Sequence, residues 1–98
     1  MPSNYTSKLA DLIYNDEDIH SKVLEIYDES ADLIAAVDTA ILGTKYENIG
    51  TEYDNFKYVT LDMVVTKFAE ELNITEETEI PQPLRALLED IGYLASRN

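Results

Sequence analysis

The sequence predicts an all-α fold: a small helical bundle of two long helices with a short helix at each end. Three observations carry this. Apolar residues recur at steps of three and four through most of the chain, the period of one helix face. Three prolines and three glycines are the breakers, and they fall where helices would end. No pair of alternating apolar runs stands ready to form a hairpin.

The chain has 98 residues, which supports a single domain with one modest core. Hydrophobic residues make up 45%, enough for a packed interior and too many for plain disorder. There is no cysteine, so neither a disulfide framework nor a thiolate metal site is expected. No apolar run reaches the ~18 residues of a membrane span. The opening "MPSNYTSKLADLIYNDED" lacks the basic region and long apolar core of a signal peptide. The expectation is a soluble protein made in the cytoplasm.

The first element, "SNYTSKLADLIY", reads as a short helix whose thin apolar face is Leu9, Leu12 and Ile13. The next, "NDEDIHSKVLEIYDESADLIAAVDTAILG", carries the strongest periodic signal. Ile19, Val23, Ile26, Ser30, Ile34, Val37 and Ile41 follow one face, widened by Leu24, Leu33 and Ala40. Asn15 or Asp16 suits its N-cap, the acids at 16 to 18 complement the helix dipole, and Gly43 suits a left-handed end. A single helix of roughly 26 residues and about 40 Å is predicted.

"GTKYENIGTEYDN" follows as a loop of about a dozen residues, the long end for a compact helical domain. "DNFKYVTLDMVVTKFAEELN" is the second long helix, capped by Asp54 or Asn55. Tyr58, Leu61, Val65, Phe68 and Leu72 form one face, and Val59, Met63 and Val64 make it apolar more than half way round, so it is central. A polar connector then leads into "EIPQPLRALLEDIGYL". Pro81 forces Ile80 toward an extended conformation. Pro83 fits the first turn of a helix, where its missing N–H is not needed. A last helix from about residue 83 docks Leu84, Leu87, Leu88, Ile91 and Leu94.

Charge is the dominant compositional fact. Twenty acidic residues against seven basic ones give a formal net charge of −13. Tight contact with a nucleic acid backbone or an anionic membrane is disfavoured. Solubility is the plain reading; a basic protein partner or a surface that repels nucleic acid is the functional one. Asp18, Glu25, Glu29 and Asp32 step by 7, 4 and 3 and trace an acidic stripe along the predicted long helix, flanked by Asp28 and Asp38, with Lys22 as the local counter-charge. Such a stripe is ordinarily a solvated face.

Nothing in the chain assembles a catalytic site. His20 is the single histidine and reads as a surface residue in the first turn of its helix. It has no second imidazole or thiolate with which to hold a transition metal. The acid clusters "NDED" at 15 to 18 and "EET" at 76 to 78 lack the spaced ligands and glycine of a calcium loop. Gly43 and Gly50 are isolated, so there is no phosphate loop. The expectation is a non-enzyme without cofactor. Seven tyrosines, Tyr46 and Tyr53 of the loop among them, suit either an interface or a core.

From Phe56 to Leu94 the chain resembles the C-terminal half of the tailed-phage head–tail connector proteins, also called head-completion or adaptor proteins. The likeness lies in the helix "YVTLDMVVTKFAEEL", a short polar connector, and the start Glu79, Ile80, Pro81, Leu84, Ala86, Leu87, Leu88. The segment from Asp16 to Gly43 is similar to the family's first long helix. The chain departs from the pattern at Ala69, Glu70 and Glu71, where the family usually carries arginine, and at Asp90 and Gly92.

The resemblance implies a small helical bundle that assembles as a homo-oligomeric ring of roughly a dozen copies in the virion neck, between head and tail. Its partners would be the portal protein and the next tail or neck component, with DNA passing through without specific binding. Tyr46, Tyr53, Pro81, Pro83 and Leu84 would then contribute subunit or partner contacts, and the long loop would order against a neighbour. The stripe Asp18, Glu25, Glu29 and Asp32 would line the DNA channel, because an acidic wall repels phosphates. The alternative from a different class is a small acidic inhibitor or immunity protein that covers a basic enzyme surface by mimicking DNA.

Overall fold

The computed structural model describes residues 4–48 and 54–96. Five α-helices follow one another: α1 (Asn4–Asn15), α2 (Glu17–Ser30), α3 (Leu33–Ile41), α4 (Asp54–Glu71) and α5 (Gln82–Asp90). No strand occurs among the described residues. α1 packs along α4 and α2 along α3, with smaller contacts joining α1 to α2 and α3 to α4. The radius of gyration, 13.0 Å, is that of a compact chain of this length.

The all-α expectation holds, but the architecture of two long helices does not. Only α4, at 18 residues, is long. The helix predicted from 16 to 43 is two helices. At the break Ala31 adopts φ 56° and ψ 24°, and its N–H donates to the Tyr27 carbonyl. The Ser30 hydroxyl donates back to the Ile26 carbonyl at 2.8 Å. Asp32, extended at φ −118°, then accepts the Ala35 N–H on Oδ1 at 3.0 Å and starts α3. Serine and aspartate are residues whose side chains satisfy helix ends. The apolar period runs across the break because both helices bury a face and keep it nearly in phase, with only the exposed Ser30 interrupting it. Ile19 and Val23 are buried on α2, Ser30 is exposed, and the buried set on α3 is Leu33, Ala36, Val37, Ala40 and Ile41.

The other termini follow local rules. Asp16 caps α2, accepting the N–H groups of Asp18 and Ile19 at 3.0 and 3.2 Å. α4 ends with Asn73 at φ 61°, the Ile74 N–H reaching the Ala69 carbonyl and the Asn73 N–H that of Glu70. α5 ends the same way, with Gly92 at φ 81°, Tyr93 N–H on Leu88 and Gly92 N–H on Glu89. Both are Schellman closures, which place asparagine or glycine in the left-handed position. Gly43, at φ 78°, takes the left-handed conformation two residues beyond α3.

The core runs through all five helices. Ile13, Val23, Leu33, Val37, Val64, Val65, Phe68, Leu84 and Leu88 are almost completely buried. α4 turns more of its surface inward than the face read from its spacing. Thr60, Val64, Val65, Phe68 and Ala69 are buried, while Leu61 and Leu72 are half-buried. On α1, Ala10 and Ile13 face the core and Leu12 is 60% exposed. That corrects the apolar face expected there: Leu9 and Ile13 belong to it and Leu12 points off it, while Ala10 and Tyr14 join the packing against α4 and its neighbours. α5 begins at Gln82, with Pro81 as a cap of φ −58° and ψ 146°. It docks through Leu84, Leu88 and, past its end, Leu94.

Candidate functional site

The acidic stripe is divided by the helix break. Asp18, Glu25 and Glu29 lie on α2 and are exposed. At 3.6 residues per turn they project within about 20° of a common direction. Asp32 is exposed but lies beyond the end of α2, where its carboxylate serves as the N-cap of α3. Three residues therefore share a helix face and the fourth does not. Asp28 and Asp38 are exposed on α2 and α3. No ion pair among the described residues engages Asp18, Glu25 or Glu29. Lys67 is paired with Asp11 at 2.7 Å. Arg85, largely buried, reaches Glu76 at 2.9 Å and Glu89 at 3.4 Å. Those bases neutralise other regions, so the negative field of α2 faces water.

The residues expected to make subunit or partner contacts are scattered. Tyr46 is buried, 7% exposed, with the Lys45 ammonium 5.3 Å from its ring centre. Its turn is built by Thr44, whose hydroxyl donates to the Ile41 carbonyl and accepts the Tyr46 N–H. Tyr53 lies outside the described residues, as does the middle of the long loop. Pro81 and Pro83 are exposed at the start of α5. Leu84 is 1% exposed and fills this chain's own core, so its side chain is not on the surface.

The connector and the last helix form a tied unit. Glu76 takes Arg85 on one carboxylate oxygen and the Ala95 N–H on the other. The Tyr93 hydroxyl donates to the Ile74 carbonyl at 2.8 Å. Nearby, burial and then the negative charge of Asp90 push the Asp62 carboxyl above its ordinary range.

A second cluster forms where α1, α2 and α4 meet. The Tyr14 hydroxyl donates to Glu71 Oε1 at 2.6 Å, and His20 Nε2 lies 2.6 Å from the same oxygen. A carboxylate only accepts, so Nε2 carries the proton in this contact. The rings of Tyr14 and His20 stand edge-on at 5.5 Å, and both pack on Phe68, at 4.9 and 5.2 Å. The hydrogen bond from Tyr14, then that from His20, holds the Glu71 carboxyl below its usual range, with burial opposing. In return Tyr14 is pushed up to about 12, chiefly by that same bond to Glu71. An open depression beside the cluster is lined by Tyr14, Asn15, Glu17, His20 and Ser21.

His20 is thus half-buried and joined to a helix end 51 residues away rather than being a plain surface residue. The spacing between histidine and acid carries no local signal, so sequence periodicity misses the cluster. Among the described residues no group of three or more His, Cys, Asp or Glu could hold a metal ion, and no helix is long and apolar enough to cross a membrane.

Compared with known proteins, the chain matches no family model, no curated protein and no solved structure.

Proposed function

We propose that this chain is a structural, non-catalytic subunit of a tailed-phage neck: a head–tail connector that assembles as a ring below the portal protein and meets the next tail component on its other side. The observation that carries the reading is the proline-led start of the last helix. "EIPQPLRALL" resembles the family's entry to its last helix, and in this fold it forms an extended cap at Pro81 followed by a short helix. The exposed face of Asp18, Glu25 and Glu29 supports the same reading. In a ring these acids line the channel and keep passing DNA from settling on the wall.

Mass spectrometry of purified particles tests this, with the copy number scaled to the portal protein. About one copy per portal subunit is expected for stacked rings of matching symmetry. Absence of the chain from intact particles overturns the reading.

The same unpaired acids also favour the second reading, an inhibitor or immunity protein that covers a basic enzyme surface. Stoichiometry separates the two, since an inhibitor forms a one-to-one complex with its enzyme and stays out of the particle.

A further inference from the structure

We propose that the break at Ser30, Ala31 and Asp32 is an exchange hinge: it straightens into one helix from Glu17 to Ile41, and two copies of this chain then swap halves, α1–α2 of each packing on α3–α5 of the other. The hinge residues suit both conformations. Ala31 holds φ 56° and ψ 24°, a backbone region that disfavours a Cβ. Alanine is also the best helix former, so an unbroken helix relieves the strain at this position. The break is held by side-chain hydrogen bonds. The Ser30 hydroxyl donates to the Ile26 carbonyl at 2.8 Å and accepts the Asp32 N–H at 3.3 Å, and Asp32 Oδ1 accepts the Ala35 N–H at 3.0 Å. A continuous helix replaces these with backbone bonds, the N–H groups of residues 32 and 33 reaching the carbonyls of 28 and 29. All three hinge residues are exposed, so straightening removes no core packing at the hinge itself.

The apolar pattern already fits the straight form. On one unbroken helix Ile19, Val23, Ile26, Leu33, Val37 and Ile41 fall within an arc of about 80°. Such a helix is not compatible with a single closed copy. In the fold α2 lies along α3, and drawing the two into line pulls the buried Leu33, Ala36, Val37, Ala40 and Ile41 away from their neighbours. A second copy restores those contacts. Its α3–α5 half takes the place of the one withdrawn, and the seams of α1 with α4 and of α2 with α3 form between chains instead of within one. The exchange is reciprocal, so it closes as a two-fold dimer with nothing left over. Monomer and dimer then share their core packing and differ at the hinge. Only Ala31 and Asp32 separate α2 from α3, and short, strained hinges are where domains swap.

Refolding of the full chain at high protein concentration tests the exchange. The chain has no cysteine, so Asp11→Cys on α1 and Lys67→Cys on α4 each carry one unique thiol, at positions whose native side chains pair at 2.7 Å. The two single variants are unfolded together, refolded, and separated by size-exclusion chromatography with light scattering. A short bismaleimide is then added to the dimer fraction. The expected result is a dimer that persists on dilution and in which the reagent joins an Asp11→Cys chain to a Lys67→Cys chain. The hinge sets the yield. Ser30→Ala with Asp32→Ala removes the side-chain bonds of the break and raises the dimer association constant roughly tenfold or more, since each dimer straightens two hinges. Ala31→Gly eases the left-handed turn, disfavours the helix and lowers the constant by roughly the same factor relative to wild type. A wild-type hinge that yields only monomer, a dimer without the inter-chain link, or a dimer yield that Ala31→Gly leaves unchanged overturns the proposal.

Discussion

The Tyr14 hydroxyl donates to Glu71 Oε1 at 2.6 Å and so ties the end of the first helix to the end of the fourth, 57 residues away along the chain. The bond has a defined pH dependence. The folded state holds the Glu71 carboxyl below its unfolded value, first through Tyr14 and then through His20. A depressed carboxylate contributes stability above its unfolded pKa and loses it as pH falls through the folded one. Glu71→Gln therefore lowers stability at pH 7 by roughly 1 kcal/mol, discounted for solvent at this partly exposed site. The difference from wild type shrinks in acid, below the range in which Glu71 titrates. Urea denaturation at pH 7 and pH 3 checks both parts.

Asp62 has the opposite sign. Burial and the nearby Asp90 raise its folded pKa, so the charged form is penalised in the fold. That penalty is present above the folded pKa and disappears as pH falls below the unfolded one. Asp62→Asn removes it and raises stability at pH 7 by about 0.5 kcal/mol. Near pH 3 the gain vanishes. Thermal melts of the two proteins at both pH values give the comparison.

Ala31 sits at φ 56°, a conformation that penalises a Cβ by about 1 kcal/mol and suits glycine. Ala31→Gly consequently stabilises the protein by roughly 0.5 to 1 kcal/mol. Were residues 17–41 one helix, glycine there would destabilise by about the same amount. The sign of the change in melting temperature decides between the two.

That break also marks how far the sequence is legible. Three helix ends are readable directly, Asp16 as a cap, Gly43 beyond α3 and Pro81 with Pro83 at the start of α5, whereas the left-handed closures at Asn73 and Gly92 are seen only in the fold. The 30–32 break obeys capping rules too, through Ser30 and Asp32. Its signal is masked by an apolar period that Ile26, Leu33, Ile34 and Val37 keep almost in phase on both sides. The acidic face was readable because it needs only spacing along α2. The Glu71 junction was not, because it depends on how α1, α2 and α4 pack, and tertiary contacts between distant residues leave no local pattern.

The exposed acids of α2 give a functional prediction. On the proposed connector reading, genome release slows in particles carrying the triple change Asp18→Lys, Glu25→Lys and Glu29→Lys. A basic channel wall holds phosphates that an acidic wall repels. Since these side chains are exposed, the variant folds and assembles. Ejection kinetics measured at low and high salt report the effect, which weakens as salt screens it.

The most direct measurement is a cryo-electron microscopy reconstruction of the particle neck. The account predicts a closed ring of five-helix subunits below the portal, with α2 turned to the channel and Asp18, Glu25 and Glu29 facing the DNA. A neck without this subunit, or a ring whose α2 faces outward, contradicts it.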